Sequence, residues 1–177
     1  MKIYDGILNI FSKIVEFVTG LLLTSIVLII SWQVLTRVIL KVTPSWSEEI
    51  SMILVVWFGM LGAGLGVRDK SHLAVEFLVR IMPDGLKQFF FRLSYALICC
   101  FSIVMVVAGF RLYSFVMAHG EINPATGIPV GYTYFAIPVA GIFIFLHSLR
   151  HIIDLMAGTY DFTEFAEDAS GEGVAIN

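Results

Sequence analysis

Four long runs without a single Asp, Glu, Lys or Arg constrain this chain more than any other feature of its sequence. They cover residues 17–36, 50–67, 93–110 and 122–149. Each run can supply most or all of the roughly 20 apolar residues that an α-helix needs to cross about 30 Å of hydrocarbon. The runs are apolar on all sides, which excludes the alternating strands of an outer-membrane barrel. Because lipid offers no hydrogen-bond partner, the backbone of each run must be helical.

The sequence therefore predicts an all-α integral membrane protein with four transmembrane helices and short interfacial amphipathic helices. Only 14% of the 177 residues are charged, against about a quarter in soluble domains. The chain is too short to hold a separate soluble domain beside the spans. We expect one transmembrane domain over residues 1–157, with spans at about 14–40, 47–69, 86–118 and 128–156.

Two amphipathic segments are predicted to lie in the membrane interface rather than across the bilayer. The first covers residues 1–13. The second covers residues 71–82, where His72, Glu76 and Arg80 follow one another at intervals of four. Glu76 precedes Arg80 in the favourable orientation for a helical ion pair.

Positive charge is distributed unevenly over the two sides of the predicted spans. Eight of the 11 Lys and Arg residues lie before the first charge-free run, between the second and third runs, or after the fourth. The positive-inside rule therefore predicts a multi-pass membrane protein with both termini in the cytoplasm. Residues 158–177 contain five acidic and no basic residues, which indicates an acidic cytoplasmic tail.

The stretch SWSEEI, residues 45–50, places two glutamates in front of the second charge-free run. Ser45 and Glu48 have the spacing of a capping box, which predicts that Glu48 closes the start of a helix. Trp46 suits the headgroup level of the membrane. Glu49 has no part in the box and is the better candidate for a contact with a partner protein.

Small residues in the first two spans are a second candidate site. Residues of this kind, four apart on a transmembrane helix, let two helix backbones approach closely. On the second span they are Gly59, Gly62, Ala63 and Gly66, and on the first span Thr24, Ser25 and Ser31.

No pattern of residues indicates catalysis, a cofactor or a metal site, so we expect a protein that is not an enzyme. The adjacent Cys99 and Cys100 lie inside an apolar run and are interpreted as inert thiols. Charged groups within spans mark transport paths, and this chain has almost none, which favours a scaffold over a carrier. No nucleic-acid partner is expected. The histidines, which we interpret as interfacial, are His72, His119, His147 and His151.

Two segments of the sequence resemble a known family of membrane proteins. WSEEISMILVVWFGMLGAGLGVRDKSHLAVEFLVRIMP, residues 46–83, resembles the signature region of the small membrane subunit of TRAP (tripartite ATP-independent periplasmic) transporters. GIPVGYTYFAIPVAGIFIFLHSLRHI, residues 127–152, resembles the last helix of that subunit. The resemblance extends over about residues 1–157 and implies a four-helix, Q-type subunit of a bacterial inner (cytoplasmic) membrane with cytoplasmic termini.

The resemblance also implies a function and a set of partners. It implies a non-catalytic scaffold that anchors a large membrane transport subunit, which carries substrate together with Na⁺. A periplasmic substrate-binding protein would deliver a carboxylate such as a C4-dicarboxylate or sialic acid, and membrane lipids would surround the complex. Trp46, Glu48 and Glu49 would then face the periplasm near the place where the binding protein docks.

Two other functions stay open from the residues alone. The chain could be a self-sufficient small homo-oligomeric transporter that uses Glu16 as its coupling carboxylate. It could also be a membrane redox subunit that holds haem or quinone, which a visible absorption spectrum of the purified protein would reveal.

Overall fold

The computed structural model describes residues 2–69 and 84–157, and these are almost entirely helical. The predicted interfacial helix 71–82, with His72, Glu76 and Arg80, and the predicted acidic tail 158–177 lie outside the described residues. Four of the helical segments are long and apolar enough to cross a membrane, which confirms the prediction of an all-α membrane protein. The helices are α1 (Lys2–Ile39), α2 (Ser45–Arg68), α3 (Asp84–His119), α4 (Gly131–Tyr134) and α5 (Ala136–Ala157).

The first helix differs from the division that the sequence suggested. We expected an interfacial helix over residues 1–13 followed by a span over 14–40, whereas α1 is one uninterrupted helix of 38 residues. At 1.5 Å per residue it is about 57 Å long. No proline occurs before Pro44, so nothing removes a backbone donor or breaks the helix between the two pieces.

The long helices pack side by side in the order α1, α2, α5, α3. Within the described ranges α1 and α3 share no extensive contact, so the helices form an open row rather than a closed bundle. The last span, which includes α5, is the most buried. Half of its most apolar stretch is buried, against about a fifth in each of the other three spans. The row therefore leaves large apolar surfaces on α1, α2 and α3.

Close approach to α5 depends on glycines of its neighbours and on one of its own. A Cβ built on Gly109 of α3 would lie 2.7 Å from Cδ of Pro138, so only a glycine fits there. Gly141 of α5 also lies close to α3, where a Cβ would be 3.0 Å from the Val106 side chain. Phe143 is fully buried where α1, α2 and α5 meet.

The two ends of the row differ in what they carry. One end, which we call the loop end, carries residues 40–44 and 120–130. The other, the terminal end, carries the start of α1 and the end of α5. At the loop end the ring of Phe135, between α4 and α5, packs with aromatic rings of α2 and α3. These rings belong to Trp57, Phe110 and Tyr113.

Candidate functional site

The small residues predicted on α2 lie on its outer surface. A Cβ built on Gly59, Gly62 or Gly66 would meet no atom within 4 Å, and Ala63 is exposed. These residues continue, at intervals of three or four, a line of exposed side chains toward the loop end. We call this surface the open face of α2; it consists of Glu48, Met52, Val55, Gly59, Gly62, Ala63 and Gly66.

A different glycine of the same helix serves packing inside the chain. A Cβ on Gly64 would lie 2.7 Å from Cδ1 of Phe143, in the ring at the centre of the core cluster. Sequence reasoning missed Gly64 because it searched for small residues four apart, and that pattern does not say which face meets which neighbour. The two kinds of glycine therefore lie on separate faces of α2.

Two of the three small polar residues predicted on α1 form hydrogen bonds within their own helix. The Thr24 hydroxyl donates to the carbonyl oxygen of Gly20 at 2.9 Å, and Ser25 Oγ donates to that of Leu21 at 2.8 Å. Thr24 and Ser31 are exposed and lie seven residues apart, on the face of α1 opposite the buried Ile26. Since α1 packs on α2 through its buried face, Thr24 and Ser31 point away from α2.

The start of α2 is not the capping box that its sequence suggested. Pro44, with φ −66° and ψ 119°, stands at the N-cap, and no side chain caps the helix. Ser45 already lies inside the helix and so is not the N-cap. Glu48 is therefore the fourth residue after the N-cap, whereas a capping box needs a Glu at the third. Instead the Ser47 hydroxyl donates to the Pro44 carbonyl oxygen at 2.7 Å. The prediction that Glu48 caps the helix is wrong.

Glu49 is engaged with the loop between α3 and α4. One of its carboxylate oxygens accepts from the backbone N–H of Ala125 at 2.8 Å. The other accepts from the N–H and from the hydroxyl of Thr126, both at 2.9 Å. A contact between Glu49 and a partner protein stays a prediction. The neighbouring Trp46 and Glu48 are exposed at the loop end.

At the terminal end, Arg68 joins α1 to α2. Its Nη1 lies 3.0 Å from Oε2 of Glu16, and its Nε and Nη2 donate to both carboxylate oxygens of Asp69. Glu16 is the carboxylate that the alternative of a self-sufficient transporter requires. In the structure it pairs with Arg68 of the neighbouring helix.

Two histidines that we interpreted as interfacial are buried between helices. His147 of α5 is 4% exposed, and a hydrogen bond of 2.9 Å joins its Nε2 to Ser12 Oγ of α1. Its Nδ1 lies 3.0 Å from the carbonyl oxygen of Phe143, which can only accept, so Nδ1 carries the hydrogen. His151 stacks on the Tyr95 ring with a centroid distance of 4.8 Å.

Both ring nitrogens of His147 are therefore used for packing inside the chain, and neither is directed at a ligand. Within the described ranges no group of three or more His, Cys, Asp or Glu residues is placed to hold a metal ion. The fold and these contacts define the class of the protein. It is a multi-pass α-helical membrane protein whose polar side chains hold its own helices together.

The comparison with protein families identifies this membrane protein further. A family model described as "Tripartite ATP-independent periplasmic transporters, DctQ component" matches residues 26–158, about three quarters of the chain. The chain belongs to this family. The family is one of transporter components, so the prediction of a small TRAP subunit that is not an enzyme is confirmed.

Individual relatives carry names of the same kind. The chain is 24% identical over 153 residues to the sialic acid TRAP transporter small permease protein SiaQ of Vibrio cholerae. This match covers 84% of each chain. It is 26% identical over 94 residues to the C4-dicarboxylate TRAP transporter small permease protein DctQ of Rhodobacter capsulatus, covering 53% of this chain and 41% of that one.

A longer relative contains the same region as a small part of its length. The chain is 27% identical over 139 residues to the sialic acid TRAP transporter permease protein SiaT of Haemophilus influenzae. This match covers 78% of the present chain and 22% of SiaT, so the chain spans about a fifth of that permease.

Proposed function

We propose that this chain is the non-catalytic scaffold subunit of a Na⁺-coupled, binding-protein-dependent transporter for a carboxylate substrate. In this role it anchors a large membrane transport subunit in the inner membrane. The observation that carries the proposal is the open row of helices, in which only about a fifth of the most apolar stretch is buried in each of the three spans α1, α2 and α3. Such surfaces are stable only when lipid or another membrane protein covers them.

The open face of α2 is the surface best suited to a protein. Without side chains at Gly59, Gly62 and Gly66, a second helix could approach the backbone of α2 closely and gain van der Waals contact. The outward face of α1 with Thr24 and Ser31 offers a further, shallower surface. We assign these faces to the large subunit and the remaining apolar surface to membrane lipids.

The relatives support a large partner and a carboxylate substrate. The region similar to this chain makes up about a fifth of the SiaT permease. This supports a function in which the chain works together with a larger membrane protein. Two of the small permease proteins are named for sialic acid and for C4-dicarboxylates, which are both carboxylates. Because no charged residue lies within the four apolar runs, we assign substrate and Na⁺ to the large partner.

We further propose that both termini lie in the cytoplasm. Lys13, Arg68, Arg92 and Arg150 all stand toward the terminal end of the row, in keeping with the positive-inside rule. The loop end would then face the periplasm. Trp46 and Glu48 are exposed there and are proposed as contacts for the soluble substrate-binding component.

The scaffold role is tested by co-purification in mild detergent. Gly62→Leu places a bulky side chain on the open face of α2, and we expect it to reduce the recovery of the large subunit several-fold. Ala108→Leu, at an exposed position of α3, is the matched control and should leave recovery unchanged. Full recovery with Gly62→Leu would show that the large subunit does not bind to this face.

A further inference from the structure

The loop between α3 and α4 has a defined shape that its own backbone only partly explains. Residues 121–130, which we call the outer hairpin, form an antiparallel bridge between Ile122 and Pro129. Backbone hydrogen bonds join Asn123 N to Ile128 O and Gly127 N to Asn123 O, at 2.9 and 2.8 Å. Gly127 has a φ of +70°, a conformation that glycine adopts without strain.

These bonds close the hairpin on itself but do not attach its tip to the helices. The attachment is the carboxylate of Glu49, which accepts from two successive backbone amides and one hydroxyl at the tip. Successive N–H groups that point in one direction form a concave anion site, and here a side chain of α2 fills it. Hydrogen bonds to an ionised carboxylate are roughly twice as strong as those between neutral groups.

We propose that Glu49 is a positioning residue, which holds the outer hairpin in the shape that docks the soluble substrate-binding component. This inference rests on the proposed function. The hairpin leaves Ile122 60% exposed and also exposes Glu121 and Pro124. A partner that fits this tip presents an apolar pocket for Ile122 and a basic side chain for Glu121.

The partner is a water-soluble protein rather than a membrane helix. The tip carries exposed backbone groups and the Glu121 carboxylate, which hydrocarbon would leave without hydrogen-bond partners. A hairpin that is already fixed loses less conformational freedom on binding than a free loop does, so fixing it raises affinity. Glu49 thus acts on docking through the hairpin, without a contact of its own.

Hydrogen exchange of the complex with its large subunit tests the positioning role. Glu49→Gln replaces one acceptor oxygen by an NH₂ group that cannot accept, so we expect at least one of the Ala125 and Thr126 amides to exchange at least about tenfold faster. Thr126→Val should give a smaller increase, and Thr126→Ser, which keeps the hydroxyl, none. Glu48→Gln makes the same chemical change one residue away and should leave both amides unaffected. Unchanged exchange in Glu49→Gln would overturn the positioning role.

Binding of the purified substrate-binding component to the same complexes tests the docking surface. We expect Glu49→Gln to weaken binding several-fold, and Ile122→Asp to weaken it without changing the exchange of Ala125 and Thr126. Faster exchange with unchanged affinity would overturn the hairpin as the docking surface. If the wild-type complex does not bind the component at all, the proposed function fails at this point, while the exchange experiment still decides whether Glu49 holds the hairpin.

Discussion

Single polar side chains fix the geometry of this protein at three places where helices or loops meet. Ser12 bonds to His147 between α1 and α5, Glu49 holds the outer hairpin, and Arg68 joins α2 to Glu16 of α1. The first of these contacts is buried, whereas the ion pair leaves the Glu16 side chain 62% exposed. Exposed ion pairs contribute little, so the buried contact should matter more for stability.

Ser12→Ala should therefore destabilise the isolated chain in detergent. It leaves His147 Nε2 buried without its hydrogen-bond partner, which costs about 1–3 kcal/mol in the free energy of unfolding. Ser25→Ala is the matched control, because the Ser25 hydroxyl bonds only within its own helix. Thermal unfolding followed by circular dichroism measures both variants. Equal melting temperatures for Ser12→Ala and Ser25→Ala would mean that the contact between α1 and α5 does not depend on this bond.

Sequence reasoning at this scale found some important residues but not their partners. It singled out Glu49 because the residue had no part in a helix cap, yet it could not find Thr126, which lies 77 positions away. It also expected His147 and His151 at the membrane interface, because periodicity does not show that a neighbouring helix covers a given face. The Asn123-Pro124 pair and Gly127 were turn signals that could have indicated a structured loop.

At the scale of helices, the existence of the spans follows from the sequence and their packing does not. The charge-free runs predicted spans at 47–69 and 86–118, and the structure has α2 and α3 at Ser45–Arg68 and Asp84–His119. The predicted span 128–156 is divided at Phe135 into α4 and α5. The order of the helices in the row depends on side-chain shape, above all on the glycines that face α5.

Gly64 and Gly62 provide a matched test of which face of α2 packs inside the chain. Gly64→Ala brings a methyl group against the fully buried Phe143 ring, and overpacking of this kind costs about 1–3 kcal/mol. Gly62→Ala meets open space and should leave stability equal or slightly higher, since alanine favours a helix. Melting temperatures of the isolated chain in detergent compare the two. A larger loss with Gly62→Ala would contradict the assignment of the two faces.

For the whole molecule, the open row explains why a chain of this size would need a companion in the membrane. Its helices are tied to one another at both ends, yet α1, α2 and α3 keep broad apolar surfaces. The runs between these ends lack the charged groups of an ion or substrate path. Composition was sufficient to predict this much, whereas the packing of α2 was needed to show that Gly59, Gly62 and Gly66 lie on its outer side and Gly64 on its inner side.

The most direct test of the scaffold role is substrate uptake by proteoliposomes under an inward Na⁺ gradient, with the soluble binding component and a radiolabelled carboxylate such as sialic acid or a C4-dicarboxylate. Three preparations are compared, which contain this chain alone, the large subunit alone, and both. We expect Na⁺-dependent uptake with both subunits, none with this chain alone, and little with the large subunit alone. Uptake by proteoliposomes that contain only this chain would contradict the account, because a scaffold without a substrate path cannot transport.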